Sequence, residues 1–168
     1  MFQFQGVWYE IKRTFTLFET GLKCSATIIT NVENGNALFR RTGVNIINRH
    51  FIIMQGKLRT VNSISPANME LTLGALRFRS IYKIIDTNYE DYAAVWSCYE
   101  SPLLAGTLGH TENLWILSRQ ILLKPEYLNK MFDVIDSLNI SRATLIDTNF
   151  NNCTDISGRL NSKLSSHF

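Results

Sequence analysis

FQGVWYEIKR, residues 4–13, is the stretch on which the fold turns. A glycine, a tryptophan and a tyrosine feed directly into a strand-like run, with no helix cap ahead of them. Burying a tryptophan removes a large surface from water, and its ring N–H then needs a partner. Some later part of the chain must therefore come back to hold Trp8.

Outward from that first strand (7–15), strand-like segments of about six to ten residues fill the first 120 positions, separated by turn residues. CSATIITNV (24–32) follows a loop, and Asn34-Gly35 is the strongest short hairpin signal available. HFIIMQGKLRTV (50–61) predicts a long strand in which Gly56 marks a bend or bulge. Pro66 interrupts the chain, after which Met69, Leu71 and Leu73 share one face. Beyond Gly74, Leu76 and Phe78 alternate with Arg77 and Arg79, giving one dry and one wet face. SIYKII (80–85), YAAVWSCYE (92–100) and ENLWILSRQ (112–120) complete the set. The spacing is that of an antiparallel meander closed into a barrel.

One segment has a different period. In KPEYLNKMFDVIDSLNIS (124–141), Pro125 suits a first helical turn, and Leu128, Met131, Phe132 and Ile135 recur at helical spacing. A single helix over 124–138 is expected, its apolar stripe against the outside of the barrel. ATLIDTNF (143–150) predicts a short ninth strand near 144–150. The fold class is thus all-β: an eight-stranded up-and-down antiparallel barrel with one C-terminal helix. Residues 1–154 form the domain, and 155–168 read as a polar tail.

Composition agrees with one globular domain. A chain of 168 residues with 45% apolar and 18% charged side chains can bury a core without a metal or many staples. No apolar run reaches the roughly 18 to 20 residues of a membrane-spanning helix. The net charge of +3 is mild and the basic residues are scattered, with Arg40-Arg41 a lone arginine pair. That argues against a nucleic-acid partner. Cys24, Cys98 and Cys153 fit no metal spacing, because no CxxC is present and no histidine lies near any of them. They read either as three reduced thiols in the cytosol or as one disulfide and an orphan in a secreted protein. Nothing after Met1 has the pattern of a signal peptide, which taken alone favours the cytosol.

Three motifs stand in order along the chain: Gly6-Val7-Trp8, then Thr87-Asn88-Tyr89 ahead of a late strand, then WILSR ending at Arg119. In order and spacing they resemble the pattern of the lipocalins, and with the single helix and last strand the resemblance covers nearly the whole chain. GLKC, NYEDYAAVWSC and WILSR are most similar to the branch that holds apolipoprotein D, Lazarillo and the arthropod bilin- and carotenoid-binding lipocalins. The resemblance implies that Arg119 lies over the indole of Trp8 at the closed end, a cation–π contact of about 0.5 to 2 kcal/mol. Asn88 stands where the family usually has Asp; it keeps an acceptor and loses the charge.

The resemblance also implies a Cys24–Cys153 disulfide. In the same branch the partner of Cys98 lies ahead of Gly-x-Trp, in a segment this chain lacks, so Cys98 is expected to be a free thiol. Asn139-Ile140-Ser141 is a glycosylation sequon, and Asn152-Cys153-Thr154 a poorer one. Together these features lean towards a secreted, extracellular glycoprotein.

Catalysis requires a nucleophile with a base, a metal cluster or paired carboxylates. His50, His110 and His167 fall in a turn, a loop and the tail, with no second ligand at usable spacing, and Glu90 and Asp91 sit on a turn. The chain therefore reads as a non-enzyme with no metal site and no required cofactor. Eight strands leave an interior just wide enough for one small ligand. Inward candidates are Trp115, Phe39, Phe51, Ile53, Leu71, Phe78 and Tyr82. Each alone is as consistent with packed core as with ligand contact; as a set they describe an aromatic pocket with few polar groups. Trp115 is favoured because the family's "WIL" tryptophan lines the cavity.

The leading expectation is a carrier of a small hydrophobic ligand: a bilin such as biliverdin, a carotenoid, sterol, retinoid, fatty acid or pheromone. The alternative is an interaction module with a filled barrel, whose loops meet a cell-surface receptor or a like subunit in a homo-oligomer.

Overall fold

Alternating apolar and polar side chains produce eight strands close to the expected places. They are β1 (Gly6–Thr14), β2 (Leu22–Glu33), β3 (Asn36–Asn45), β4 (Phe51–Thr60), β5 (Asn68–Leu73), β6 (Phe78–Thr87), β7 (Tyr92–Pro102) and β8 (Leu108–Ser118). The structure, a computed structural model, describes residues 2–16, 19–61, 64–74, 78–102 and 108–153. The expected polar tail at 155–168 lies outside the described residues, as do Leu76 and Arg77.

Each strand is antiparallel to the next, and β1 closes the sheet by pairing with both β2 and β8. Closure leaves no unpaired edge among the eight, the usual hazard of an open sheet. β1 serves two neighbours because it changes register. Gly6–Tyr9 lie against β2, Tyr9–Arg13 lie against β8, and the register shifts between Glu10 and Lys12. A ninth strand, β9 (Leu145–Asp147), pairs with Lys12–Thr14. It is shorter than the 144–150 expected, because the chain turns at Asn151-Asn152 to bring Cys153 to Cys24. The Cys24 amide donates to the Asn149 carbonyl at 2.9 Å beside that bridge.

Asn34 and Gly35 form the two-residue β2–β3 turn with φ of +47° and +77°, the left-handed pair that a twisted hairpin requires. Gly56 makes no bulge, since β4 keeps unbroken register with β3 through it, and the pairing of β4 with β5 begins at this residue. Its role is clearance: a Cβ there would sit 2.4 Å from the Thr72 carbonyl oxygen and 2.8 Å from Leu73.

Helix α1 (Pro125–Ser137) forms where expected and packs on the outside of the barrel. Met131 and Ile135 are fully buried, with Leu128 and Phe132 beside them, against Tyr92, Ala94, Leu114 and Ile116. These strand residues point outward, opposite in phase to the interior Val95 and Trp115.

Candidate functional site

The closed end of the barrel explains the opening glycine and tryptophan. Trp8 is fully buried; its ring N–H donates to the Phe4 carbonyl at 2.9 Å, and the Phe4 ring stacks on it at 4.8 Å. The Arg119 guanidinium lies 3.6 Å from the centre of the indole on the family's expected contact. Arg119 also donates to the carbonyls of Val7, Gln5, Gln3 and Tyr89. Partial burial pushes its pKa down to about 10, which still leaves it cationic at neutral pH. Gly6, at φ +107°, is required there: a Cβ would come within 2.9 Å of Arg119 Nη1.

Asn88 completes this end. Its Oδ1 accepts from the amides of Asp91 and Tyr92, and its Nδ2 donates to Asp91 Oδ2 at 2.8 Å. The acceptor role survives without the charge, and the amide adds a donor that a carboxylate would lack.

Above this plug, packed side chains fill the lower barrel: Ile29, Leu58, Met69, Tyr82, Val95 and Leu117. The upper half is not filled. It holds a cavity of about 510 Å³, within the range that encloses one small molecule. Phe39, Ile53, Leu71 and Trp115 line it, joined by Met54 and Leu73. Tyr82 lies below, 1% exposed and edge-on to Phe39 at 5.8 Å. Phe51 is not at the cavity. It pairs with Val44 and packs with Cys24, Ile28 and Cys153 on the outer face, because β4 runs in the opposite phase to the one expected. The same register gives Met54, partner of Arg41, as the inward residue, and Ile53 borders the cavity from the other phase. Phe78 pairs with Leu73 through its backbone; its side chain lies outside the described part of the structure.

The cavity wall is mostly apolar, as the sequence suggests, but several polar side chains border it. Thr16, Gln55, Ser80, Ser97, Tyr99 and Asn113 line it, and so does Arg41. Arg41 belongs to a buried network that sequence reasoning missed. Its Nε meets Glu10 at 2.8 Å and its Nη1 meets Glu19 at 2.6 Å. Arg13 pairs with the other Glu19 oxygen at 3.0 Å, and Thr16 and Trp115 also donate to Glu19. Thr27 donates to Glu10 at 2.8 Å. The Arg41 guanidinium stacks 4.5 Å over Trp115, so one face of that indole is already occupied.

Two carboxylates in one network titrate in opposite directions. Burial raises Glu10 above the ordinary carboxylate range, and Arg41 opposes this only in part. Burial acts on Glu19 too, but Arg41 and Arg13 together outweigh it and hold Glu19 below that range. The signal for part of the network was present in strand phase. Glu10 follows Trp8 by two positions and Arg41 follows Phe39 by two, so each shares its neighbour's inward face. Glu19 lies between β1 and β2, where no alternation marks it.

A barrel plugged at one end by Trp8 and Arg119, with a cavity above the plug, is of the lipocalin type. The chain belongs to the lipocalin / cytosolic fatty-acid binding protein family, whose model matches residues 5–152. Among its relatives is apolipoprotein D of Mus musculus, 29% identical over 159 residues that span 91% of this chain and 78% of the mouse protein. Lobster apocrustacyanin A1 superimposes with a TM-score of 0.70 at 22% identity, covering 87% of this chain and 77% of its own. Insecticyanin of the tobacco hornworm Manduca sexta gives 0.69 at 20%, covering 90% and 80%. These two share the fold.

Proposed function

We propose that this protein is an extracellular carrier that holds one small hydrophobic molecule in the upper half of its barrel. The observation that carries this reading is the cavity itself, about 510 Å³ left unfilled above a well-packed floor. A barrel built only as a scaffold would gain from filling that space, since apolar burial stabilises by about 25 cal/mol per Å². The Cys24–Cys153 disulfide supports an oxidising compartment, and kinship with proteins named apolipoprotein D agrees with a lipid-type cargo. The resemblance to the bilin- and carotenoid-binding branch adds those pigments as cargo rather than as required cofactors. In this reading Asn139, exposed just after α1, carries a glycan.

Phe39, Leu71 and Trp115 form the ligand wall in this reading, with Trp115 meeting the ligand by its edge or by the face Arg41 leaves open. A second role for the loops has one supporting observation: Ile46 and Ile47, between β3 and β4, are 56% and 88% exposed. They would suit a receptor or a like subunit.

Titration with bilins, carotenoids, retinoids, steroids and fatty acids tests the carrier reading. At least one class should quench tryptophan fluorescence with saturable, micromolar or tighter affinity, and Trp115→Ala should weaken it without changing the folded spectrum. A panel with no saturable binder refutes the carrier.

A further inference from the structure

Basic residues that are scattered along the chain meet on one outer face of the barrel. Arg40 lies between the inward Phe39 and Arg41, Lys57 and Arg59 flank the inward Leu58, and Arg79 and Lys83 stand in opposite phase to the inward Ser80 and Tyr82. All five therefore point outward from β3, β4 and β6. Strand pairing brings them side by side. Lys57 is opposite Thr72, which is opposite Arg79, and Arg59 is opposite Glu70, which is opposite Ile81. Arg40 pairs with Gln55, two positions before Lys57 on the same face, and Lys83 pairs with Asn68. β3 and β6 are three strand spacings apart, so the group spans roughly 15 Å across the sheet. Arg40 is half-buried and the other four are exposed.

Glu70 is the one carboxylate paired with any of these five cations among the described residues. It stands between Arg59 at 3.4 Å and Arg79 at 3.9 Å, so the face keeps a surplus of positive charge. Glu33 on β2 and Glu100 on β7 mark its two edges. Further acids lie away from it, with Glu126, Asp133 and Asp136 on α1.

We propose that this outer face of β3–β6 binds a linear sulfated polysaccharide. The basic face stands on geometry alone; the choice of this polyanion rests on the extracellular reading, since such chains coat cell surfaces and matrix. The surface is a sheet face in which Gln55, Asn68 and Thr72 lie between the cations. Cations interleaved with short hydrogen-bonding side chains suit sulfate and hydroxyl groups repeated along an extended chain. The arginine fork matches the oxygens of a tetrahedral anion, as it does with phosphate. Ile81 is the one exposed large apolar side chain among the described residues of this face. The face thus lacks the aromatic anchors typical of protein interfaces and the apolar surface that a membrane-bound face inserts. Release of counterions from the polyanion drives such binding without any apolar anchor.

The test is binding of the full chain to immobilised heparin over a series of salt concentrations. Affinity should be micromolar or tighter at low salt and should fall log-linearly as salt rises. Lys57→Glu/Arg79→Glu should weaken binding roughly tenfold or more and flatten the salt slope by about one unit or more. Lys124→Glu/Lys130→Glu makes the same change in net charge on α1 and should leave heparin binding close to wild type. All four side chains are exposed, and circular dichroism verifies that both variants keep the barrel. Desulfated heparin should fail to compete. Equal losses in the two double variants would reduce the effect to net charge and overturn the face. Phosphatidylserine vesicles or duplex DNA that compete better than heparin would overturn the polysaccharide in favour of a membrane or a nucleic acid. Absence of heparin binding removes this inference and leaves the carrier reading, judged by tryptophan quenching, untouched.

Discussion

Trp8 shows how one residue can need several distant partners. Its ring N–H is satisfied by Phe4, one face is covered by Phe4, and Arg119 lies over the ring. Trp8→Ala should therefore destabilise the barrel by about 3 to 5 kcal/mol, the range for a buried aromatic cut to alanine. Arg119→Ala should cost less, and urea unfolding of the double variant should show losses that do not add, since both remove the same contact. Strict additivity would mean that the cation–π pair contributes nothing. At the other end of the barrel, Glu19 accepts from Arg13, Thr16 and Trp115 and pairs with Arg41. Breaking a buried ion pair leaves a charge uncompensated, so Glu19→Gln should cost about 3 to 5 kcal/mol at pH 7. The pH sense follows from its lowered pKa. The unfolded chain holds that proton more tightly, so the stabilisation is complete above the ordinary value of about 4.3. It fades as pH falls through the folded value. Wild type and Glu19→Gln should therefore converge in stability in acid, as read by denaturant midpoints at pH 7 and below pH 4.3. Glu10, with its pKa raised, acts in the opposite sense: its relative contribution grows as pH falls through its folded value.

At the scale of elements, helix and strand each carry a test. α1 buries Met131 and Ile135 completely against outward residues of β7 and β8, and nothing else in that cluster replaces them. Ile135→Ala should cost about 2 to 5 kcal/mol, because the rigid strands beneath cannot collapse into the space. The cavity lies on the opposite side of the sheet, so ligand titrations should keep their affinity in the folded fraction. Strand β4 is limited by its neighbour instead. Gly56→Ala places a methyl 2.4 Å from the Thr72 carbonyl oxygen, and backbone in a closed sheet yields little. The expected loss is about 1 to 3 kcal/mol, as for other overpacked sites, measured by urea unfolding.

The whole molecule is tied by one disulfide between Cys24 and Cys153, 129 residues apart. In the chain-entropy model, closing so long a loop stabilises by about 5 kcal/mol, a mechanism on which calorimetry disagrees. Cys24→Ser/Cys153→Ser should lower the unfolding midpoint accordingly, and β9 should lose amide protection first because the bridge at Cys153 anchors the segment that leads out of it. Cys98, half-buried on the outward face of β7, is the free thiol. Burial pushes its pKa up, and Glu112 and Glu100 push it further, so little thiolate forms at neutral pH. Slow covalent dimers on storage should disappear in Cys98→Ser with stability nearly unchanged, as non-reducing electrophoresis and thermal melts would show.

Strand alternation, the Asn34-Gly35 turn and the helical spacing of Leu128, Met131, Phe132 and Ile135 are local patterns. Each comes from a few neighbouring side chains, so the chain alone determined the elements, their order and the barrel. The Trp8–Arg119 contact and the disulfide joining Cys24 to Cys153 were legible through motif resemblance. Tertiary structure decided the phase of β4, which turned Phe51 outward and Met54 inward, because a slip of one residue in register exchanges the two faces. It also decided the character of the site. Glu10, Arg13, Glu19 and Arg41 come from three separate stretches and meet only once the sheet closes. Their charges are tolerable in the interior because each finds its opposite there, a condition that no local pattern in the sequence expresses.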